Sequence, residues 1–415
     1  MNTFTSIFLV ALALSLLVQL WLIFRQSSHV SAHRAAVPNA FKDTVTLDDH
    51  QKAADYTIEK NRIGLIDLAI SSVFLLAMTL GGGIDAIANV WNSWDFASIT
   101  TGIGIIFSVF FIGYLVDIPL SCYQTFNIEQ RFGFNRTTIR QYLTDQLMQL
   151  CLGLVIGVPL LALILWVIES VGSLWWILAW AILVGFSLLM SWAYPTLIAP
   201  LFNKFDPLKN ATLQQRIDDL LERCGFNSNG IFVMDGSRRS GHGNAYFTGM
   251  GKSKRIVFFD TLLDSLNGDE IEAVLAHELG HFKHKHVTKM LISSSLMSFV
   301  GFAILGWISN QSWFYQGLGV SHESYAIALL LFMMVSPAFT FFLQPVSAFF
   351  QRKFEFQADD YAASVTRSSA LIDALVKLYK ENANTLTPDP LYSAFHYSHP
   401  PAAIRIANLE TRKQS

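Results

Sequence analysis

Seven apolar runs, each about as long as the roughly 20 residues a helix needs to cross a bilayer, constrain this chain more than any other feature. They lie at 4–24, 63–84, 99–120, 147–168, 174–194, 290–308 and 325–343. Five carry no charged residue; the second and third carry one carboxylate each, Asp67 and Asp117. Charged residues make up only 14% of the chain, against about 25% in soluble domains. That excludes a disordered chain and argues against an ordinary cytosolic enzyme. A net charge of −2 offers no field for a polyanion, so nucleic acid is not an expected partner. Cys122, Cys151 and Cys224 are too few and too scattered for a disulfide framework. The expected class is a multispanning α-helical membrane protein in contact with lipid.

Basic residues give an orientation, because loops on the cytosolic side collect Lys and Arg. The segments after the first, third, fifth and seventh runs hold six, three, twelve and eight, which accounts for all 29. The intervening loops hold none. Nothing basic precedes the first run, whereas Arg25 and Arg34 follow it, the reverse of a signal peptide. It reads as a retained anchor with its N-terminus outside. Pro337 weakens the last run as a span. The chain then divides into spans one to five (1–194), a cytosolic region (195–289), spans six and seven (290–346) and a C-terminal cytosolic region (347–415). Neither cytosolic piece is large enough to be a secure domain alone, and the two are expected to fold together. Asp67 and Asp117 either face a wet cavity or mark span ends set a turn wrongly.

The run Ile271-Glu-Ala-Val-Leu-Ala-His277-Glu278-Leu-Gly-His281 sits in a helical context. Asn267 and Glu270 resemble a capping box, and Ile271, Val274, Leu275 and Leu279 recur at helical spacing. His277 and His281 then share one face, where two imidazoles can grip a zinc ion. Glu278 lies beside them, placed to take a proton from water at the metal. The competing reading is a polar helix that is merely rich in histidine. A catalytic zinc usually has a third protein ligand. His284 lies about 10 Å along the helix axis from His277, too far to share one ion; it is expected at the surface or behind the ligands, with His286 on another face. Glu355 is the better candidate, with Asp359 four residues on to hold a ligand histidine by hydrogen bonding. Alone, that pair reads more readily as a solvated acidic helix face.

Residues 230–235 and 255–260 are β-branched and aromatic runs bounded by turn residues, so strands are expected there. Residues 244–247 between them can form an edge that pairs with an extended peptide, Asn244 anchoring a carbonyl. The plain alternative for Asn244 is a turn residue. His399, stiffened by two following prolines, can serve as an oxyanion donor; an isolated tail histidine can equally be a surface group.

HExxH followed by the late helix Arg352-Lys-Phe-Glu355-Phe-Gln-Ala-Asp359, both framed by spans, resembles the Ste24 family of CAAX prenyl proteases within the M48 zinc metallopeptidases. Further stretches carry the resemblance: Phe132-Gly-Phe-Asn135-Arg-Thr-Thr, Ser240-Gly-His-Gly-Asn244-Ala-Tyr246-Phe247, Arg255-Ile-Val-Phe-Phe-Asp260 and Tyr397-Ser-His399-Pro-Pro401 with Arg405. It covers the whole chain. It implies seven helices around a water-filled chamber and a cytosolic gluzincin-type protease domain with one zinc per chain. By position, it implies His277, His281 and Glu355 as ligands and Glu278 as general base. Asn244 and His399 would contact substrate, and Asp359 and Arg405 would stand behind the ligands. The implied substrates are C-terminal segments of membrane-associated proteins, isoprenylated CaaX tails among them, and the implied membrane is the endoplasmic reticulum or a bacterial inner membrane. Glycine at 243 is expected to make its loop pliable, which bears on fine substrate preference. Two alternatives compete: a quality-control protease without a prenyl requirement, and a silent zinc-stabilised scaffold or transporter.

Overall fold

The computed structural model describes residues 2–226, 228–248 and 255–413. Lipid leaves helices or a closed barrel as the only spanning backbones, and the first five apolar runs form helices α1 (Thr3–Ala32), α2 (Leu47–Met78), α3 (Ser98–Phe132), α4 (Ile139–Ser170) and α5 (Gly172–Phe202). Asn2 caps α1 by accepting from the Thr5 N–H, and α2 opens with a capping box between Thr46 and Asp49. The second span stops at Met78 and does not reach 84. Gly82, in the left-handed region at φ 78°, turns the chain into a separate helix at Gly83–Ser93. Asp67 and Asp117 lie within α2 and α3, exposed and away from the helix ends.

After α5 the chain forms β1 (Phe205–Pro207), α6 (Ala211–Cys224), β2 (Ile231–Met234), β3 (Ala245–Thr248) and β4 (Arg255–Phe259). The sheet order is β1-β2-β4-β3, with β2 parallel to β4 and the outer strands antiparallel to their neighbours. β3 is therefore an edge. β1 was not anticipated: three residues ending in proline carry too little alternation to read as a strand. Next come α7 (Gly268–Lys283), α8 (His286–Ile308), α9 (Tyr325–Thr340) and α10 (Gln344–Val365), then α11 (Ser368–Glu381), α12 (Pro390–His396) and α13 (Ala402–Lys413). Pro337 does not end the last span. The chain passes through one tight turn at Phe341–Leu343 and runs on as α10, so span seven carries Glu355 on its own continuation.

Two large cores, with two smaller clusters beside them, hold the described residues together. The membrane core joins Phe8 of α1, Ile105 of α3, Leu165 of α4, Leu305 of α8 and Leu330 of α9, all from the ends of the spans remote from the sheet. That end is tied by Asn2 donating to the Trp313 carbonyl at 2.7 Å and by Asp85 accepting from Ser321. Six of the seven spans bury no more than 22% of their most apolar window. So little burial leaves most of each span facing lipid or open space, with the helices drawn together at the end remote from the sheet. The second core joins α6, β4, α7, α11 and α13 through Ile217, Phe258, Leu275, Leu371 and Leu409. Chain from before and after the α8–α9 hairpin thus shares one hydrophobic interior.

Candidate metal centre

Gly280 lies in the last turn of the HExxH helix, between the two histidines, where α10 crosses it. A Cβ there would sit 2.8 Å from the Cα of Ala358, closer than carbon atoms pack. Backbone therefore meets backbone, and Glu355, one turn before Ala358, reaches the histidines of α7. His277 Nε2 and His281 Nε2 are 3.2 Å apart, and the Glu355 carboxylate lies 3.4 Å from the first and 3.3 Å from the second. Among the described residues, these three form the one set whose ligand atoms all fall within 4.8 Å of one another.

Two imidazoles and a carboxylate turned toward one point put three lone-pair donors around it. Oε2 of Glu355 is buried and makes no hydrogen bond, a costly condition for a carboxylate oxygen. His277 Nδ1 donates to Asp359 Oδ1 at 2.9 Å, which leaves Nε2 as a lone pair facing the centre. Burial works against a proton on His277, yet the Asp359 and Glu355 carboxylates beside it raise its pKa to about 9, a pull that a metal cation at Nε2 would satisfy in the proton's place. The pocket favours positive charge, and two imidazoles with one carboxylate match a zinc donor set with an open position. The residues fit the ion.

Behind the ligands, Arg405 grips Asp359 with two bonds of 2.8 and 2.6 Å and reaches to 3.6 Å from Glu355. Asp359 is fully buried and Arg405 nearly so. Glu278 follows His277 on α7, and burial pushes its carboxyl above the ordinary value, opposed by His277 and His281. His399 Nε2 comes within 3.4 Å of Glu355 from the opposite side, while Ser398 Oγ lies 2.9 Å from its Nδ1. If the hydroxyl donates there, Nε2 keeps the ring's single N–H and points it into the centre.

Asn244 precedes edge strand β3 and lines the same cavity as His277, Glu278 and His399. Its loop is tied to its neighbours. The Gly243 N–H donates to Asn382 Oδ1 at 3.0 Å, and Asn382 Nδ2 donates back to the Gly243 carbonyl. His242 stacks on Phe134 with centroids 4.2 Å apart and faces Glu129, which accepts from Tyr56 of α2 at 2.6 Å. Residues 134–136 bridge to 239–241 through backbone bonds. The β3 edge and the loop before it are thereby fastened to α2 and α3. The cavity, about 560 Å³, runs from the histidines to Gln26, Tyr56 and Lys60 on the membrane helices.

His284 ends α7 and makes no part of the three-residue group. His286 is the surprise. Lys285 adopts φ 56°, in the left-handed region, and folds the next helix back so that His286 Nδ1 meets His281 Nδ1 at 3.0 Å. Helical periodicity put it on another face because it assumed one continuous helix. Arg352, which donates to the carbonyls of Ser393, Ala394 and Tyr397, and Asn382 were also missed; no local pattern announces contacts so distant in sequence.

Residues 26–204 match the family model for the CAAX prenyl protease N-terminal region with five membrane helices, and residues 207–413 match peptidase family M48. A CAAX prenyl protease 1 homolog of Arabidopsis thaliana is 40% identical over 71% of this chain and 70% of its own. CAAX prenyl protease 1 of Saccharomyces cerevisiae is 39% identical over 71% of this chain and 69% of its own. The crystal structure of S. mikatae Ste24p superposes with a TM-score of 0.92 at 31% identity, covering 99% of this chain and 100% of that one.

Proposed function

The chain belongs to peptidase family M48 and is a multi-pass membrane zinc metalloendopeptidase; on that premise we propose that it cleaves isoprenylated CaaX tails of membrane-associated proteins, with its active site on the cytosolic side. One observation carries the reading: the centre of His277, His281, Glu355 and Glu278 opens into a cavity that continues to α1 and α2. A soluble cleft would expose a greasy tail to water; this one leads toward the space the spans enclose. The names of the relatives favour prenyl processing over a quality-control protease, and the intact Glu278 argues against a silent scaffold. The basic segments support the cytosolic orientation.

Zinc held by His277, His281 and Glu355 would acidify water and polarise the scissile carbonyl. Glu278 takes the proton from the attacking water at its carboxylate oxygen. The carbonyl oxygen gains charge as the carbon becomes tetrahedral; His399 Nε2–H and the Asn244 side-chain amide donate to it. Glu278 then delivers its proton to the departing amine. The peptide lies along β3, its carbonyls and amides pairing with the free edge. Asp359 and Arg405 keep His277 from turning.

Two peptides that differ only in an isoprenyl group on cysteine test the substrate reading. The prenylated one is expected to be cleaved more than about tenfold faster, the effect of 1.4 kcal/mol from the buried chain. Equal rates on the bare peptide would overturn it.

A further inference from the structure

His286 and Gln357 lie outside the ligand set and have no role in the chemistry above, yet their geometry is ordered. His286 is 1% exposed and stacks on Phe354 with centroids 4.2 Å apart and planes 13° off parallel. Its Nε2 lies 2.8 Å from Gln357 Oε1, and its Nδ1 lies 3.0 Å from His281 Nδ1. A carbonyl oxygen only accepts, so the single N–H of a neutral His286 goes to Gln357. Nδ1 of His286 is then a lone pair and must accept. The only proton on offer is the Nδ1–H of His281. With that proton fixed, Nε2 of His281 is a lone pair facing His277 and Glu355.

We propose that Gln357 and His286 act as a relay that sets the tautomer of His281, a positioning pair for the metal ligand, resting on the reading of His281 as a ligand. The two ligand histidines are held by different means: His277 by the carboxylate of Asp359, His281 by an uncharged imidazole backed by an amide. Turning the Gln357 amide, or removing it, frees His286 to carry its proton on Nδ1. His281 would then have to protonate Nε2 and block its own ligand atom.

Zinc affinity of the detergent-purified protein, measured by titration with a chelator, reads the relay without reference to turnover. His286→Phe keeps the ring stack on Phe354 and cannot accept; it is expected to bind zinc about tenfold more weakly. His286→Asn loses the stack but puts an acceptor oxygen near the Nδ1 position, and is expected to stay close to wild type. Gln357→Met is expected to weaken zinc and Gln357→Glu to retain it. Wild-type affinity in His286→Phe, or equal loss in the Phe and Asn variants, would overturn the relay in favour of simple packing. If His286→Phe does not fold, Gln357→Met decides alone, since it leaves the stack in place. His281→Ala separates the two readings: zinc retained there removes His281 as a ligand, whereas zinc lost there and kept in His286→Phe removes only the relay.

Discussion

Glu278 shows how much one side chain carries. It shares a helix turn with two ligands, so its position follows from theirs, and burial lifts its proton affinity. Glu278→Gln preserves shape and the ligand set. It is expected to keep one zinc per chain while activity falls by about 10²- to 10⁴-fold, measured by peptide cleavage beside metal analysis. At this scale the sequence was readable wherever chemistry is local. His277, Glu278 and His281 lie within one turn and a fraction, and Asp359 follows Glu355 by one turn. His286 was unreadable, because its partner depends on a single backbone torsion at Lys285 that no periodicity encodes. His399 and Asn244 gave only a weak signal of their own, an edge between two expected strands and a histidine before two prolines, and the motif resemblance strengthened it.

Between elements, the decisive contact is α7 on α10. Gly280 permits it, and the obstruction a side chain would meet is the Ala358 backbone, which cannot swing aside. Gly280→Ala is expected to part the helices, cost about 1–3 kcal/mol of stability and weaken zinc, read by thermal melting and chelator titration. A melt and metal content equal to wild type would show that the crossing has slack. The spans were legible as elements because hydrophobic length is a direct requirement of the bilayer. Their ends were less so. The second stops early at glycines, and the seventh continues past Pro337 and through one tight turn at Phe341–Leu343. Such endings are set by local geometry that averaged hydropathy does not register.

For the whole molecule, α1 is fastened to the C-terminal region. Arg25 pairs with Asp389 through 3.3 and 2.8 Å bonds, and the buried Gln26 side chain accepts from the Asp389 N–H and donates to the Tyr397 hydroxyl. Burial pushes the Asp389 carboxyl up, but Arg25 and the N–H groups of Tyr392 and Leu391 hold it below the usual carboxylate range. Asp389→Asn keeps the cap on α12 and removes the charge. Because Arg25 is half exposed, the loss is expected to be about 1 kcal/mol at neutral pH. A depressed carboxyl contributes its stability above its unfolded pKa and loses it as pH falls through the folded one. The melting gap between variant and wild type should therefore close in acid; a gap that widens would contradict the ion pair. The seven crossings and basic-loop asymmetry were visible in composition, but the shared core of α6, α7, α11 and α13 was not, since it joins segments that a membrane hairpin separates. That separation has a further consequence for biosynthesis. A nascent chain that has emerged only through α8 owns both imidazoles but not Glu355, which arrives with the continuation of the final span. The hydrolytic machinery is thus assembled last, and a half-made polypeptide remains harmless to its neighbours until insertion is finished.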